Sequence, residues 1–574
     1  MHVLLLETSG NQAYIFGTNR LRENVGASQL TYVAGTTWVE DGLKSVLGSV
    51  PIHGIEAQTG DRGAEVVVST SGKAVVLFDQ EEDARAVITA VTRRALHEAP
   101  GLDIAGTVSG AFDWSEAGAL HGALAEVHRT FEQVKAEVPS PLTRFQRLPL
   151  IADCSSSGRP AAHVIGPWIN DEPDEDDRQP FSAESFAKRL AAGDGYARLR
   201  QAVEAAAGVR LPRNLRDLER ALEGRTTTGD SELRVIDWLG VVHVDGNGLG
   251  QVFLGLDGYA HKDNRTYADT LGGLSRRLDD ACRRAFQEAA AAMWDRTRVR
   301  RRRKDGTDEP LALIPLVLGG DDMTALCDGA EAIRFARDYI EAFERLAREE
   351  VSGLPWRDTP PGITAAGGVA IIKPHFPFSV GYELSESLVR SAKSVKRLGE
   401  GPGAPVSSLD FHVVYDASVA GLDAIRERLT LVEGGARYCL YHRPYLLGAA
   451  REAVSKAHGL PRLDGLERRI AATVAVDPEG RRRYPSTQLH GLRAALFQGA
   501  ADAEAALRLI VHRYPGLDSH VGWSVDGMPA PAGATIFDAP AGKDSERHTL
   551  LLDVMEHLAF LAPLDAPAEE GGAQ

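Results

Sequence analysis

The sequence predicts an α+β fold: two copies of a ferredoxin-like module, a helical insertion between them, and a helical C-terminal domain. Three observations carry this prediction. Val3–Phe16 (VLLLETSGNQAYIF) lies over Val241–Leu254 (VVHVDGNGLGQVFL), and both read as strand, Gly-rich turn and helix start. Glu65–Phe78 and Pro315–Cys327 are each two β-rich runs around a tight Gly-containing turn, the signature of a hairpin. Asp103–Phe112 and Gly362–Ile371 form a third matched pair, each followed by an amphipathic helical pattern, Glu116–Lys135 and Ser379–Arg397.

Between hairpin and third strand each copy carries apolar residues at helical spacing, over Glu81–Glu98 and Gly329–Glu350. The order is then β-α-β-β-α-β, the split ferredoxin-like arrangement. Residues 1–150 are assigned to a first, degenerate module and 233–410 to a second. The linker, 151–232, contains the acidic run DEPDEDD, read as a solvated loop, and a helical pattern over Ser182–Glu223. Gly399–Ser408 (GEGPGAPVSS) is a breaker, and 411–574 reads as helices separated by Pro- and Gly-containing turns, with a frayed tail.

Sixty-four Lys and Arg against eighty Asp and Glu give a formal charge of −16, so a surface that binds nucleic acid over its whole extent is excluded. The cysteines, Cys154, Cys282, Cys327 and Cys439, form no CxxC pair and indicate reduced thiols rather than a disulfide framework. The apolar run Val3–Leu6 is far short of a signal-peptide core, and no stretch reaches the length of a membrane span. A cytoplasmic protein is expected.

Chemistry concentrates on Asp245, at the end of an apolar strand, and on Asp321 and Asp322, at the tip of a hairpin. If those strands pair centrally, about 4.8 Å apart, the three carboxylates meet at one sheet edge. There they repel one another and rise in pKa unless a divalent cation neutralises them. Mg²⁺ takes one or two carboxylates together with phosphate oxygens, so a nucleoside triphosphate is the natural second ligand. A pair of Mg²⁺ or Mn²⁺ ions would activate a hydroxyl and stabilise leaving pyrophosphate. Gly246, Asn247, Gly248 and Gly250 form a side-chain-poor turn that lets backbone N–H groups approach phosphate. Gly319 and Gly320 leave room for a ligand over the hairpin. Taken singly, DGNG and GGDD are ordinary turn sequences; their order on repeated modules is what gives them weight.

These motifs resemble the large polymerase-like subunit of type III CRISPR effector complexes, a family with tandem palm domains that makes cyclic oligoadenylate. The resemblance rests on GGDD (Gly319–Asp322), DGNGLG (Asp245–Gly250), the N-terminal run Gly10–Leu30, Ser407–Asp416 and Tyr441–Tyr445, and spans about residues 1–450. It implies that Asp245, Asp321 and Asp322 bind metal, that the Gly246–Gly250 turn holds the triphosphate of ATP, and that Lys393, Lys396 and Arg397 on the closing helix bind phosphate. It also implies RNA-binding repeat-protein subunits and guide RNA as partners. The plain alternative for the basic residues is a helix C-terminus whose dipole they complement.

Departures from the family matter. The first copy has Glu7 where the second has Asp245, and Ser69–Gly72 where the second has GGDD, so it is expected to be catalytically dead. No His-Asp pair is present, so DNA cleavage by an HD nuclease is not expected, and Cys154 alone makes no zinc site. Arg296–Lys304 (RTRVRRRRK) reads either as a solvated loop or as a patch for RNA or ATP phosphates. Two other functions stay open: a GGDEF-like cyclase using GTP, and a non-catalytic palm scaffold of an RNA-binding complex.

Overall fold

The computed structural model describes residues 1–48, 53–54, 63–137, 139, 145, 147–166, 168–169, 172–173, 178–212, 217–218, 238–256, 263–297, 310–356, 362–398, 405–415, 421–475, 485–514, 536–537 and 546–561. The first module is built from β1 (His2–Ser9), α1 (Asn11–Phe16), α2 (Leu21–Gly35), α3 (Thr37–Leu47), β2 (Ala64–Thr70), β3 (Lys73–Phe78), α4 (Glu81–Glu98), β4 (Asp103–Val108) and α5 (Ala119–Glu137). Its four strands lie in the order β2-β3-β1-β4, as a ferredoxin-like module requires. Val3 to Leu6 are fully buried, which places β1 at the centre of the sheet with helices over both faces.

Two short hairpins follow, β5 (His163–Ile165) with β8 (Gln179–Phe181) and β6 (Trp168–Ile169) with β7 (Glu172–Pro173), and then helix α6 (Ala183–Ala207). Ser182 starts α6 as an N-cap, its side chain accepting from the Ser185 N–H. Helix α6 packs on α2 at very close range: a Cβ on Gly26 would collide with the Lys188 carbonyl, and one on Gly195 would sit 2.9 Å from the Val25 carbonyl. This contact gives the Gly26–Leu30 (GASQL) segment a structural reason, and Gln29 Oε1 accepts from Arg198 Nε at 2.7 Å.

The second module repeats the order with β9 (Leu239–Gly246), α7 (Leu249–Leu254), α8 (Asn264–Thr297), β10 (Leu313–Gly319), β11 (Asp322–Asp328), α9 (Ala332–Ser352), β12 (Ala365–Ile372) and α10 (Phe378–Ala392). Its sheet is wider, running β10-β11-β9-β12-β13-β16, because β13 (Ser407–Val413) joins in parallel to β12 and β16 (Tyr445–Leu447) closes the edge. The region expected to be helical does hold α11 (Leu422–Arg428), α12 (Arg451–His458), α13 (Leu463–Val474), α14 (Ser486–Gln498), α15 (Ala500–Arg513) and α16 (Leu551–Leu561). It also contains a three-stranded sheet that the sequence reading lacked: β14 (Thr430–Glu433), β15 (Ala436–Cys439) and β17 (Glu546–His548). These strands are three or four residues long, too short to show a period of two.

The two modules share one core. Val67 of the first packs in the same buried cluster as Val244, Leu271 and Leu278 of the second. Helix α8 forms the bridge, and Gly272 is required there because a Cβ would lie 2.5 Å from the Val67 carbonyl. The closing helices are capped reciprocally: Asn19 Oδ1 of the first module accepts from Ser379 N at 2.9 Å, and Asn264 Oδ1 of the second accepts from Leu120 N at 3.1 Å. Each asparagine satisfies an orphan N–H in the first turn of the other module's helix. No helix among the described residues is long and apolar enough to cross a membrane.

Candidate active site

Strand β9 is apolar from Leu239 to Val244 except for His243, and it lies between β11 and β12. The antiparallel register with β11 sets Asp245 directly opposite Asp322, and the pairing with β12 sets it opposite Ala366. Asp321 stands one residue earlier, in the β10–β11 turn, and its carbonyl accepts from Gly246 N at 3.1 Å. The three aspartates therefore occupy one edge of the sheet. Gly246 permits this, since a Cβ there would sit 2.7 Å from Asp321 Cβ and 2.5 Å from Leu249 Cδ1. Gly320 takes a φ of +63°, a conformation that favours glycine.

Electrostatics follow from the crowding. Burial, then the charges of Asp245 and Asp322, push the Asp321 carboxyl up to about 7. Burial and then Asp245 push Asp322 up to about 8, against the opposing charge of Lys393. Asp322 Oδ1 is shielded from solvent without a hydrogen-bond partner, and its closest ionic neighbour is His243 Nδ1 at 3.4 Å. Burial lowers the His243 pKa, so this neighbour is a neutral imidazole, 3.0 Å from Thr324 Oγ1.

Lys393 reaches the same edge. Its Nζ donates to Asp245 Oδ2 at 2.5 Å and to the Gly246 carbonyl at 3.3 Å. It sits just past the end of α10, in a 3₁₀ turn over Lys393–Val395. Lys396 lies at the end of that turn, bonded through its backbone to Lys393 and Val406, and forms no ion pair with the aspartates among the described residues. Arg397 is exposed.

Asn247 is a framework residue in this structure. It is buried, its Nδ2 donating to Thr364 Oγ1 at 3.0 Å and to the Val406 carbonyl at 3.1 Å, so it ties the turn to the strands beside it. Gly248 adopts a φ of +71°, and around Gly250 there is open space. The hairpin tip is braced from below: Gly320 N donates to Asp279 Oδ1 on α8 at 2.9 Å, and a Cβ on Gly319 would lie 3.2 Å from that oxygen. The same Cβ would lie 3.9 Å from Ser71 Cβ, so the hairpin tips of the two modules approach each other.

Register corrects one alignment. Thr70 pairs with Lys73 as Gly319 pairs with Asp322, and Glu7 pairs with Lys73 as Asp245 pairs with Asp322. The counterpart of GGDD is thus Thr70-Ser71-Gly72-Lys73, one residue later than the motif comparison placed it. Lys73 Nζ lies 2.9 Å from Glu7 Oε2. An ammonium stands where the second module has a carboxylate.

The donor set suits a hard divalent cation: oxygen ligands, mutual repulsion, and a buried oxygen without a partner. Asp245, Asp321 and Asp322 would hold it, and it would supply charge neutralisation and hydroxyl activation. In this conformation the three carboxylates are not among the groups whose ligating atoms all lie within 4.8 Å of one another. Lys393 on Asp245 provides the positive charge instead.

Residues missed in the sequence are His243 and Asp279. His243 could have been found, since it lies two residues before Asp245 on an alternating strand and so shares its face. Asp279 is 41 residues from the Gly320 amide it accepts from, and no local pattern marks it. Cys154 is buried; although burial opposes it, hydrogen bonds led by the Ser156 hydroxyl bring its thiol down to about 6. The basic run Arg296–Lys304 lies outside the described residues beyond Thr297; Arg296 itself pairs with Glu331 and Asp338.

Residues 238–398 match the family model described as Cas10/Cmr2, second palm domain. The chain is therefore Cas10-like in its second module, a palm domain. No curated protein matches the sequence. Among solved structures, the crystal structure of Csm1 in T. onnurineus superposes with a TM-score of 0.48 at 13% identity, covering 98% of this chain and 70% of that one. A Csm1–Csm4 cassette in complex with cA4 gives 0.48 at 13%, covering 98% and 69%, and one in complex with pppApApA gives the same values.

Proposed function

We propose that this protein is a metal-dependent nucleotidyltransferase that condenses ATP into a cyclic oligoadenylate-type second messenger in type III CRISPR-like defence. The observation that carries the reading is the register of β9 against β11, which sets Asp245 opposite Asp322 beside Asp321 within the Cas10/Cmr2-type palm. Two of these carboxyls have pKa values raised to near neutral, so a metal ion that displaces their protons and takes over from Lys393 on Asp245 would relieve the repulsion. Mg²⁺ or Mn²⁺ would be held by the aspartates, and the triphosphate by Lys393 and by the Gly248–Gly250 part of the turn, since the Gly246 and Asn247 amides donate to the Asp321 and Thr364 carbonyls. The first palm would contribute an acceptor-side surface, since its hairpin tip adjoins Gly319. Repeat-protein subunits with guide RNA are the partners that the family resemblance implies.

The test is to incubate the purified chain with labelled ATP or GTP and Mg²⁺, and to follow pyrophosphate and oligonucleotide products. ATP-derived cyclic or linear adenylates are expected. Product from GTP alone would favour the GGDEF-like alternative, and nucleotide binding with no pyrophosphate, with or without partner subunits and target RNA, would favour a scaffold.

A further inference from the structure

We infer that the C-terminal sheet carries a zinc site made by Cys439, Glu546 and His548. Their ligating atoms, one thiol sulfur, one carboxylate oxygen and one imidazole nitrogen, all lie within 4.8 Å of one another. Backbone geometry explains how. Strand β17 runs parallel to β15, with Glu546 opposite Arg437 and His548 opposite Cys439. Glu546 and His548 are two residues apart and so project from the same face of β17, the face that Cys439 presents from β15.

The separations fit a tetrahedral ion. Cys439 Sγ and His548 Nε2 each lie 3.7 Å from Glu546 Oε1. Zinc bonds of about 2.3 Å to sulfur and about 2.0–2.2 Å to nitrogen and oxygen place tetrahedral ligands roughly 3.4–3.6 Å apart. The imidazole is also held in the tautomer a metal needs. Its Nδ1 lies 2.9 Å from the Tyr441 carbonyl, which can only accept, so Nδ1 carries a proton and Nε2 is the nitrogen turned toward Glu546.

The cluster is shielded. Cys439 is 1% exposed, and the side chains of His548 and Glu546 are 12% and 25% exposed. Thr430 Oγ1 also donates to Cys439 Sγ at 3.9 Å, and the thiol contacts Glu546. Thiolate, imidazole and carboxylate together select zinc over Mg²⁺ or Ca²⁺, with water filling the fourth position. The ion would fasten β17, a three-residue strand, to β15.

The experiment strips the purified full chain with a chelator, reloads it with Zn²⁺ or Co²⁺, removes unbound metal and measures retained zinc and the thiolate-to-cobalt charge-transfer absorption. Wild type is expected to retain zinc and to show the cobalt–thiolate band. The Asp321→Ala/Asp322→Ala variant should do the same, which separates this site from the palm. Cys439→Ser should lose the band, and both it and His548→Ala should weaken retention on the order of tenfold or more. Absence of the cobalt–thiolate band in wild type would overturn the site whatever the variants do. So would zinc retention left unchanged by Cys439→Ser and His548→Ala.

Discussion

Glu7 and Lys73 face each other across β1 and β3 at the register position where Asp245 and Asp322 face each other across β9 and β11. One pair neutralises itself through a 2.9 Å salt bridge, while the other leaves negative charge to be neutralised by something else. The same fold thus carries a self-satisfied edge in the first module and a charge-strained edge in the second. Glu7→Gln should accordingly lower nucleotide condensation far less than Asp245→Asn. It should also change stability by about 1 kcal/mol or less, as expected for a partly exposed pair. Parallel rate and denaturation measurements on both variants check this, and equal activity losses would mean that the two palms share the chemistry.

Asp321→Ala combined with Asp322→Ala should abolish pyrophosphate release while leaving the fold intact. The site's pH response gives a second readout. Both carboxyls have folded pKa values raised above the ordinary value near 4, so the folded state binds more protons than the unfolded chain between that value and about 7 to 8. Their contribution to stability is present below about pH 4 and is lost as pH rises through that window. Without metal, wild-type Tm should therefore fall more steeply from pH 5 to pH 8 than that of the double variant, and Mg²⁺ should flatten the wild-type curve. Identical slopes for the two proteins would contradict the assigned electrostatics.

Lys393→Ala should raise KM for the triphosphate more than it lowers kcat, because the ammonium lies beside the sheet edge rather than in the strands. It also removes a positive charge that holds down both Asp321 and Asp322, so their pKa values should rise further and the pH-dependent loss of metal-free stability should extend to higher pH. Steady-state kinetics at several Mg²⁺ concentrations, with Tm against pH, measure both effects. An unchanged KM would remove Lys393 from the nucleotide site.

The reciprocal caps predict coupled stability at the seam between the palms. Asn19→Ala should cost about 1 kcal/mol, the ordinary value of a lost side-chain cap, and Asn264→Ala more, because its buried Nδ2 also donates to the Trp114 and Glu116 carbonyls. Urea unfolding of the two single variants and the double variant gives the coupling directly. A cost near zero for both would mean that water replaces the asparagines without loss.

Most of the architecture was legible because it is local. Strand alternation, the Gly turns and helical spacing over Glu81–Glu98 each follow from residues within one turn or hairpin, and α4 occupies those same residues. The repeat made the second reading nearly free once the first was made. Asp245, Asp321 and Asp322 could be named because Asp and Gly at strand ends are visible in the chain itself.

What only the tertiary structure decided depends on which distant segments become neighbours. Register assigned Lys73, and not the Ser69–Gly72 run, to the position of Asp322, because a one-residue shift in pairing is invisible to motif comparison but moves a side chain to the opposite face. Asn247 ties the turn to the neighbouring strands because Thr364 and Val406, more than a hundred residues away in sequence, accept from its Nδ2. Cys439, Glu546 and His548 came together only through the pairing of two very short strands. The sequence by itself therefore determined the modules and the identity of the charged groups, since propensity and periodicity act between near neighbours. Folding alone determined which charges are paired, buried or left unneutralised, since burial and Coulomb energy depend on distances in space.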